Sequence, residues 1–240
     1  MSYKNQVVEW IRNWFKENHG QTAIIGISGG KDSTIAAALC VEALGKENVV
    51  GVMMPNGEQK DFNDSIRVCE ILGIKNHTIN IFDSYSGLIK EIEKKIGKEI
   101  NYGIKTNLPA RLRMSTLYSI ACFYPGARVC NTCNRSEDYV GYSTKFGDSA
   151  GDFSPLSDLT VKEVLEIGDE LGLPYDLVHK IPSDGMCGKS DEDNLGFTYS
   201  ELDNYLLNGI SPSIEKLEKI EHLHKINMHK LLPMPMFKKN

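Results

Sequence analysis

The feature that most constrains the fold is a regular alternation of short apolar runs with longer amphipathic segments. The apolar runs predict buried strands at 22–28, 48–55, 77–81 and 128–132. Apolar residues at helical spacing predict helices at 4–18, 31–45, 61–73, 83–96, 110–124, 161–171, 199–207 and 213–227. Thr160 with Glu163 and Thr198 with Glu201 predict capping boxes for two of these helices, and residues 183–194 are predicted to form a polar loop. Strands that alternate with helices favour an α/β fold, with a doubly wound, mostly parallel sheet and helices on both faces. Ligands of such sheets bind beyond the carboxyl ends of the strands, so the loops that follow the strands are the candidate site.

Composition narrows the choice of partners. The chain has 240 residues with 27 basic and 32 acidic side chains, and this acidic balance argues against nucleic acid as the main partner. No stretch reaches the ~18 consecutive apolar residues of a membrane span, and the first residues do not read as a signal peptide. Six cysteines without an export signal predict reduced thiols and a cytoplasmic location. Without repeats or a recognisable linker, we expect a single domain over residues 1–240.

The first strand is followed by SGGKDS at residues 28–33, and this loop carries the clearest chemistry. Its glycines allow a tight turn and a close approach of the backbone to a ligand. The free N–H groups and the dipole at the start of the next helix favour an anion, and the two serines add hydroxyl donors. Asp32 would repel bare phosphate, so a bridging Mg²⁺ is its expected partner. The pattern is neither a Walker A loop nor a GxGxxG motif.

A second carboxylate, Glu137, follows the fourth predicted strand and is expected at the same edge of the sheet as Asp32. The two could share the Mg²⁺ ion that neutralises a triphosphate, although spacing alone favours a solvated helix residue for Glu137. Thr132 ends the same strand, where its hydroxyl can bond a nucleotide or cap a helix. Asp32 and Glu137 are therefore the predicted metal ligands.

SGGKDS resembles the pyrophosphatase loop of the N-type ATP pyrophosphatases, which have a Rossmann-like fold of the adenine nucleotide alpha hydrolase type. That superfamily includes NAD, GMP, argininosuccinate and asparagine synthetases and tRNA-thiolating enzymes, which cleave ATP to AMP and pyrophosphate. The resemblance implies ATP-binding roles for Gly26, Ile27, Ser28, Gly29, Gly30, Lys31, Asp32, Ser33, Thr132 and Ser183.

Further segments resemble the ammonia-dependent NAD synthetases in order along nearly the whole chain. They are GVMMPNGEQKDFNDS (51–65), NLPARLRM (107–114), NTCNRSEDYVGYSTKFGDSAGDFSPL (131–156), KIPSDG (180–185), SDEDNLGFTYSELDNYL (190–206) and MHKLLPMPMF (228–237). This resemblance implies that Arg111, Lys145, Asp152, His229 and Lys230 hold deamido-NAD, with the last pair often acting across a dimer interface. It also implies a homodimer, and catalytic roles for Asp32 and Lys145.

The implied reaction has two steps. The nicotinate carboxylate of deamido-NAD attacks the α-phosphorus of ATP and releases pyrophosphate, and ammonia then displaces AMP from the acyl-adenylate to give NAD. A glutamine-dependent version needs an added glutaminase domain, and this sequence begins at the synthetase's own first helix. We therefore expect ammonia, free or from a separate partner, as the nitrogen source. Positioning and charge neutralisation, rather than a covalent nucleophile, are the expected sources of catalysis.

The chain departs from the family pattern in three places. The lysine that usually follows Leu-Thr is Val161 here, with Lys162 next, and a shift of one residue turns a helical side chain by roughly 100°. Ser183 replaces the usual threonine and Asn131 the usual glycine. The first departure puts the lysine on the ATP side in doubt.

Two other functions remain open at this point. A tRNA-thiolating enzyme also carries SGGKDS and often paired cysteines, and Cys130 and Cys133 form CNTC, although no second CxxC follows. A nucleotide-binding sensor that has lost turnover is the other alternative, which Val161 favours slightly. His222 and His224 are expected to be exposed helix residues rather than metal ligands.

Overall fold

The computed structural model describes residues 1–59, 62–180 and 190–239. The strands are β1 (Thr22–Gly26), β2 (Val49–Met53), β3 (Lys75–Thr78) and β4 (Ala127–Cys130). The helices are α1 (Tyr3–Glu17), α2 (Lys31–Leu44), α3 (Phe62–Leu72), α4 (Phe82–Ile96), α5 (Tyr102–Ala121), α6 (Arg135–Val140), α7 (Val161–Glu170), α8 (Tyr175–Val178), α9 (Asp191–Leu195), α10 (Tyr199–Asn208) and α11 (Ile214–Asn227).

The strands form one sheet in the order β3-β2-β1-β4, and every pairing between them is parallel. β1 lies between β2 and β4, so the chain moves outward on one side before it crosses to the other. The loops after β1 and β4 therefore meet at one edge of the sheet, on either side of the point where the strand order reverses. This arrangement confirms the predicted doubly wound α/β fold.

Both faces of the sheet are covered, and the two faces of β1 show why. Ala23 and Ile25 belong to a core that includes buried side chains of α1, α2 and α7, whereas Ile24 belongs to a core with α5. Successive side chains of a strand point to opposite faces, so a continuous apolar run is what a strand buried on both faces requires. The first of these cores, between the sheet and α1, α2 and α7, is called the apolar core below.

Two predicted boundaries were wrong. The helix predicted at 110–124 is α5, which begins at Tyr102 because the Asn101 side chain caps it and accepts the Ile104 N–H at 3.0 Å. The strand predicted at 77–81 is β3, which begins and ends earlier, at Lys75 and Thr78, where it pairs with β2. The chain still follows β2 beyond the strand, since Ile79 N–H donates to the Met53 carbonyl.

A third apolar cluster lies outside the sheet and joins α6, α7, α10 and α11. The predicted capping boxes at Thr160 and Thr198 are confirmed and begin α7 and α10. Residues 183–194 were predicted as a polar loop, but Asp191–Leu195 form the short helix α9; residues 181–189 lie outside the described residues. Within the described part of the chain, no helix combines the length and the apolar character needed to cross a bilayer.

Candidate active site

The loop from Ser28 to Ser33 turns sharply between β1 and α2. Gly29 has a φ of +80°, and a Cβ there would lie 3.0 Å from both the Asp64 Cβ and the Ser65 backbone nitrogen. Only glycine combines that conformation with that approach. The Ser33 hydroxyl donates to the Gly30 carbonyl at 3.1 Å and lies 3.0 Å from the Ser28 hydroxyl. The two serine hydroxyls therefore contact each other and fix the turn next to the N-terminus of α2.

The first turn of α2 carries two charges that the fold buries or half-buries. The Lys31 side chain is only 4% exposed, and its Nζ lies 2.7 Å from Asp32 Oδ2. Asn134 Nδ2 donates to Asp32 Oδ1 at 3.0 Å, while the Asn134 side-chain oxygen accepts the Glu137 backbone N–H. Asn134 thus links Asp32, on α2, to Glu137, on α6. This bond reaches the backbone of Glu137. We call Lys31, Asp32, Asn134 and Glu137 the charged cluster.

The pKa values of the cluster show how crowded its charges are. Burial and then the neighbouring charge of Asp32 raise the pKa of Glu137 to about 8, although Lys31 acts in the opposite direction. Burial alone would lower the pKa of Lys31, but the attraction of Asp32 and Glu137 outweighs it and the pKa is raised. The buried ammonium of Lys31 therefore offsets the carboxylates around it.

A cavity of about 390 Å³ opens at the carboxyl ends of β1, β2 and β4. It is lined by Gly26, Ile27, Ser28, Met53, Met54, Pro55, Gln59, Phe62, Ser65, Ala110, Arg113, Met114, Leu117, Cys130, Asn131, Thr132 and Asp148. Its volume lies within the range of small-molecule pockets, and its lining mixes apolar side chains with a few polar groups. Thr132 faces this cavity and does not cap α6, whose N-cap is Asn134.

Four of the residues predicted to hold deamido-NAD lie close together in one chain: Arg111, Lys145, His229 and Lys230. Arg111 Nε donates to the Lys145 carbonyl at 3.2 Å, and Lys145 Nζ donates to the His229 carbonyl at 2.5 Å. Lys230 Nζ donates to the carbonyls of Gly141 and Ser143. Lys145 and Lys230 therefore hold the C-terminal segment against the loop that follows α6, and Arg111 joins this loop to α5.

Asp152 lines a second cavity, of about 340 Å³, together with Lys230. Its carboxylate accepts the Val129 N–H at 2.7 Å and the Tyr118 hydroxyl at 3.1 Å. The following residue, Phe153, forms a parallel bridge with Cys130. Asp152 thus ties the loop to the free edge of β4, a role that the sequence did not suggest, and its carboxylate remains exposed.

The departures from the family pattern have clear places in the fold. Val161 is buried in the third apolar cluster, whereas the Lys162 side chain is exposed. The Asn131 side chain bonds the carbonyls of Asp148 and Ala150 and so holds the loop after α6 against β4. Ser183 lies outside the described residues.

Several residues near the site were missed by the sequence analysis. Arg113 lines the cavity and donates to the Met54 carbonyl at 3.0 Å, and it stood within the quoted segment 107–114. Asn134 could have been found, because it forms with Glu137 the same capping box that marks other helices here.

Asp203 is 4% exposed and accepts from Ser136 Oγ and from Lys162 N–H, which joins α10 to α6 and α7. No local signal marks that partnership.

The CNTC cysteines are structural in this fold. Cys130 and Cys133 are buried free thiols whose Sγ atoms donate to backbone carbonyls. Burial raises the pKa of both, which keeps them as unreactive thiols. Within residues 1–59, 62–180 and 190–239, no group of three or more histidine, cysteine or acidic side chains is placed to hold a metal.

Comparison with known proteins decides the family. The family described as NAD synthase matches residues 3–235. The chain belongs to the NAD synthase family. The NH(3)-dependent NAD(+) synthetase of Pyrococcus furiosus is 38% identical over 239 residues, which cover 94% of this chain and 91% of that relative. These findings confirm the predicted carbon–nitrogen ligase and favour it over a tRNA-thiolating enzyme.

Solved structures of this family share the fold. The NMN synthetase from Francisella tularensis superposes with a TM-score of 0.91 at 34% identity and covers 99% of this chain and 98% of that one. An NH3-dependent NAD synthetase from Campylobacter jejuni gives a TM-score of 0.76 at 26% identity, with both chains fully covered.

Proposed function

We propose that this NAD synthase family member adenylates the nicotinate carboxylate of deamido-NAD with Mg-ATP and amidates the adenylate with ammonia, giving NAD, AMP and pyrophosphate. The observation that carries the proposal is the charged cluster, set at the N-terminus of α2 directly beside the cavity at the strand ends. The Gly29–Gly30 turn and the free N–H groups at the start of α2 would hold the phosphates.

Mg²⁺ fits the residues of the charged cluster. Asp32 and Glu137 supply the hard carboxylate oxygens that this ion prefers. The charge of Asp32 helps to raise the pKa of Glu137, and a cation between the two carboxylates would relieve this repulsion. Because the described residues offer no third acidic ligand there, phosphate oxygens and water would complete the coordination. When bound, the ion would neutralise the triphosphate charge. Lys31 adds a buried positive charge from the protein itself.

The second substrate fits a cationic group. Arg111, Lys145 and Lys230 carry positive charge toward a dinucleotide that bears phosphates and a carboxylate. In this proposal Lys145 is also catalytic, because it stabilises charge that develops on the carboxylate during transfer. Asp152, exposed at the edge of β4, and His229 complete the contacts with this substrate.

A homodimer and a cytoplasmic location belong to the same proposal. The chain exposes apolar side chains that a partner subunit would cover, among them Phe82 (48% exposed), Ile96 (65%) and Phe123 (84%). Sedimentation of the purified protein measures the first expectation, and a monomer at micromolar concentration would contradict it.

Product analysis tests the reaction. The protein is incubated with deamido-NAD, Mg-ATP and either ammonium or glutamine. We expect NAD, AMP and pyrophosphate in equal amounts from ammonium, and no NAD from glutamine alone. ATP binding without pyrophosphate release would instead support a sensor that has lost turnover.

A second candidate substrate is nicotinate mononucleotide, which would be amidated to NMN. The observation in its favour is the TM-score of 0.91 with the NMN synthetase from Francisella tularensis, against 0.76 with the Campylobacter jejuni NAD synthetase. Both substrates carry the same reacting carboxylate, so the chemistry at the charged cluster is unchanged. The ratio of kcat/KM for deamido-NAD to that for the mononucleotide decides between them; a ratio well below one would assign NMN synthesis.

A further inference from the structure

Tyr199 is the first residue of α10, and its side chain is 4% exposed. Its ring packs in the third apolar cluster, whose members include Val140 and Val161. The phenolic oxygen is buried and has no hydrogen-bond partner among the described residues. A buried hydroxyl normally finds a partner, since leaving it unpaired costs free energy. The ring therefore accounts for the packing, whereas the hydroxyl bonds no group in the part of the chain that the structure describes.

The surroundings of this ring belong to the charged cluster. Lys31 Nζ lies 5.9 Å from the centre of the Tyr199 ring, and the same ammonium is 2.7 Å from Asp32. Burial first, and then the charges of Glu137, Asp191 and Asp32, raise the pKa of the Tyr199 phenol above its ordinary value. The phenol is therefore neutral at physiological pH and keeps its proton, which it can donate to an acceptor on a ligand.

We propose that the Tyr199 hydroxyl donates a hydrogen bond to a phosphate oxygen of ATP, on the pyrophosphate that leaves. This assignment rests on the proposed function, because it places the triphosphate at the charged cluster. A phosphate oxygen is a strong acceptor, and a neutral donor next to these carboxylates adds no further negative charge. The Tyr199 ring has a second part in the site, since its face lies beneath the Lys31 ammonium.

The variant Tyr199→Phe removes only the hydroxyl and keeps the ring. In the absence of nucleotide we expect an unfolding temperature equal to or above that of the wild type, because an unpaired buried hydroxyl is lost. With Mg²⁺ and α,β-methylene-ATP, a non-cleavable analogue, we expect the Kd to rise about 10-fold, the effect of one hydrogen bond to a charged group. The two readouts are thermal unfolding and isothermal titration calorimetry.

Tyr205→Phe is the matched control on the same helix. The Tyr205 hydroxyl donates to Glu221 at 2.8 Å, on α11 and away from the charged cluster. We expect the opposite pattern: a lower unfolding temperature and an unchanged Kd for the analogue. The pair therefore separates a hydroxyl that serves the fold from one that serves the ligand.

The outcomes distinguish this inference from the proposed function. If the wild type binds the analogue and Tyr199→Phe binds it equally well, the assignment of the hydroxyl is wrong while the ATP site stands. If the wild type does not bind the analogue, the proposed function itself fails. A fall in unfolding temperature for Tyr199→Phe with an unchanged Kd would show a structural hydroxyl and overturn the inference.

Discussion

Helix α2 belongs to two regions that obey different rules. From Ser33 to Cys40 its side chains are almost completely buried, and Ile35 and Leu39 lie in the apolar core against α1, α7 and the sheet. One turn earlier, Lys31 and Asp32 form part of the charged cluster. The apolar core stabilises the fold because it buries apolar side chains. The charged cluster instead holds charged groups whose burial costs free energy. The comparison indicates that stability and chemistry are separated by a single helical turn.

The largest effect on stability is expected in the apolar core. Ile35 is fully buried, and its Cδ1 lies close to Gly168 of α7. Ile35→Ala should lower the free energy of unfolding by about 3–4 kcal/mol, because a cavity replaces close packing. Urea denaturation measures this, and the KM for ATP of the folded variant should be unchanged. Ile210→Ala, at a position 61% exposed, is the control and should change stability by less than about 0.5 kcal/mol. A loss below about 1 kcal/mol at Ile35 would contradict the separation.

Asp32→Asn should give the reverse pattern. We expect the rate of pyrophosphate release at saturating Mg-ATP to fall on the order of 100-fold, since a charge that holds the nucleotide is lost. The free energy of unfolding should change less than for Ile35→Ala, because Glu137 still offsets Lys31. Asp83→Asn replaces an exposed acid in the first turn of α4 and should leave the rate unchanged. Near-normal turnover of Asp32→Asn would remove the charged cluster from the mechanism.

Asp203 tests whether polar bonds also stabilise the region of the charged cluster. Its two oxygens accept from Ser136 and from the Lys162 N–H, so the amide of Asp203→Asn must turn one N–H toward a donor. We expect a loss of about 2 kcal/mol in the free energy of unfolding. The double variant with Ser136→Ala should lose less than the sum of the single variants, because both break the same network. Additive losses would show that the two side chains act independently.

The smallest expected effect is a gain in stability, on substitution of Asp138. Burial and the charge of Asp148 raise the pKa of Asp138 to about 6. The folded state therefore binds this proton more tightly than the unfolded chain does, and the stability it provides at low pH is lost as pH rises through about 6. Asp138→Asn should raise the free energy of unfolding by about 1 kcal/mol at pH 7.5, after allowance for partial solvent exposure, and by nothing below pH 4. A difference that does not depend on pH would refute this account of Asp138.

The sequence predicted the region whose signals are local and missed the region whose partners are distant. Helical spacing and capping boxes at Thr160 and Thr198 gave α7 and α10 nearly to the residue. The predicted start of α5, residue 110, directly follows Pro109, which stands within that helix. In the site, the loop and its glycines could be read directly, whereas Ser136 and Asp203 meet across 67 positions of sequence. Such contacts depend on how helices pack, which periodicity does not specify.

The transfer of labelled oxygen tests the central claim most directly. The substrate carries ¹⁸O in its nicotinate carboxylate and is turned over with unlabelled Mg-ATP and ammonium. If that carboxylate attacks the α-phosphorus of ATP held after β1, one ¹⁸O should appear in each AMP, with pyrophosphate unlabelled. Unlabelled AMP, or ADP as the nucleotide product, would show that the amide forms by a different route.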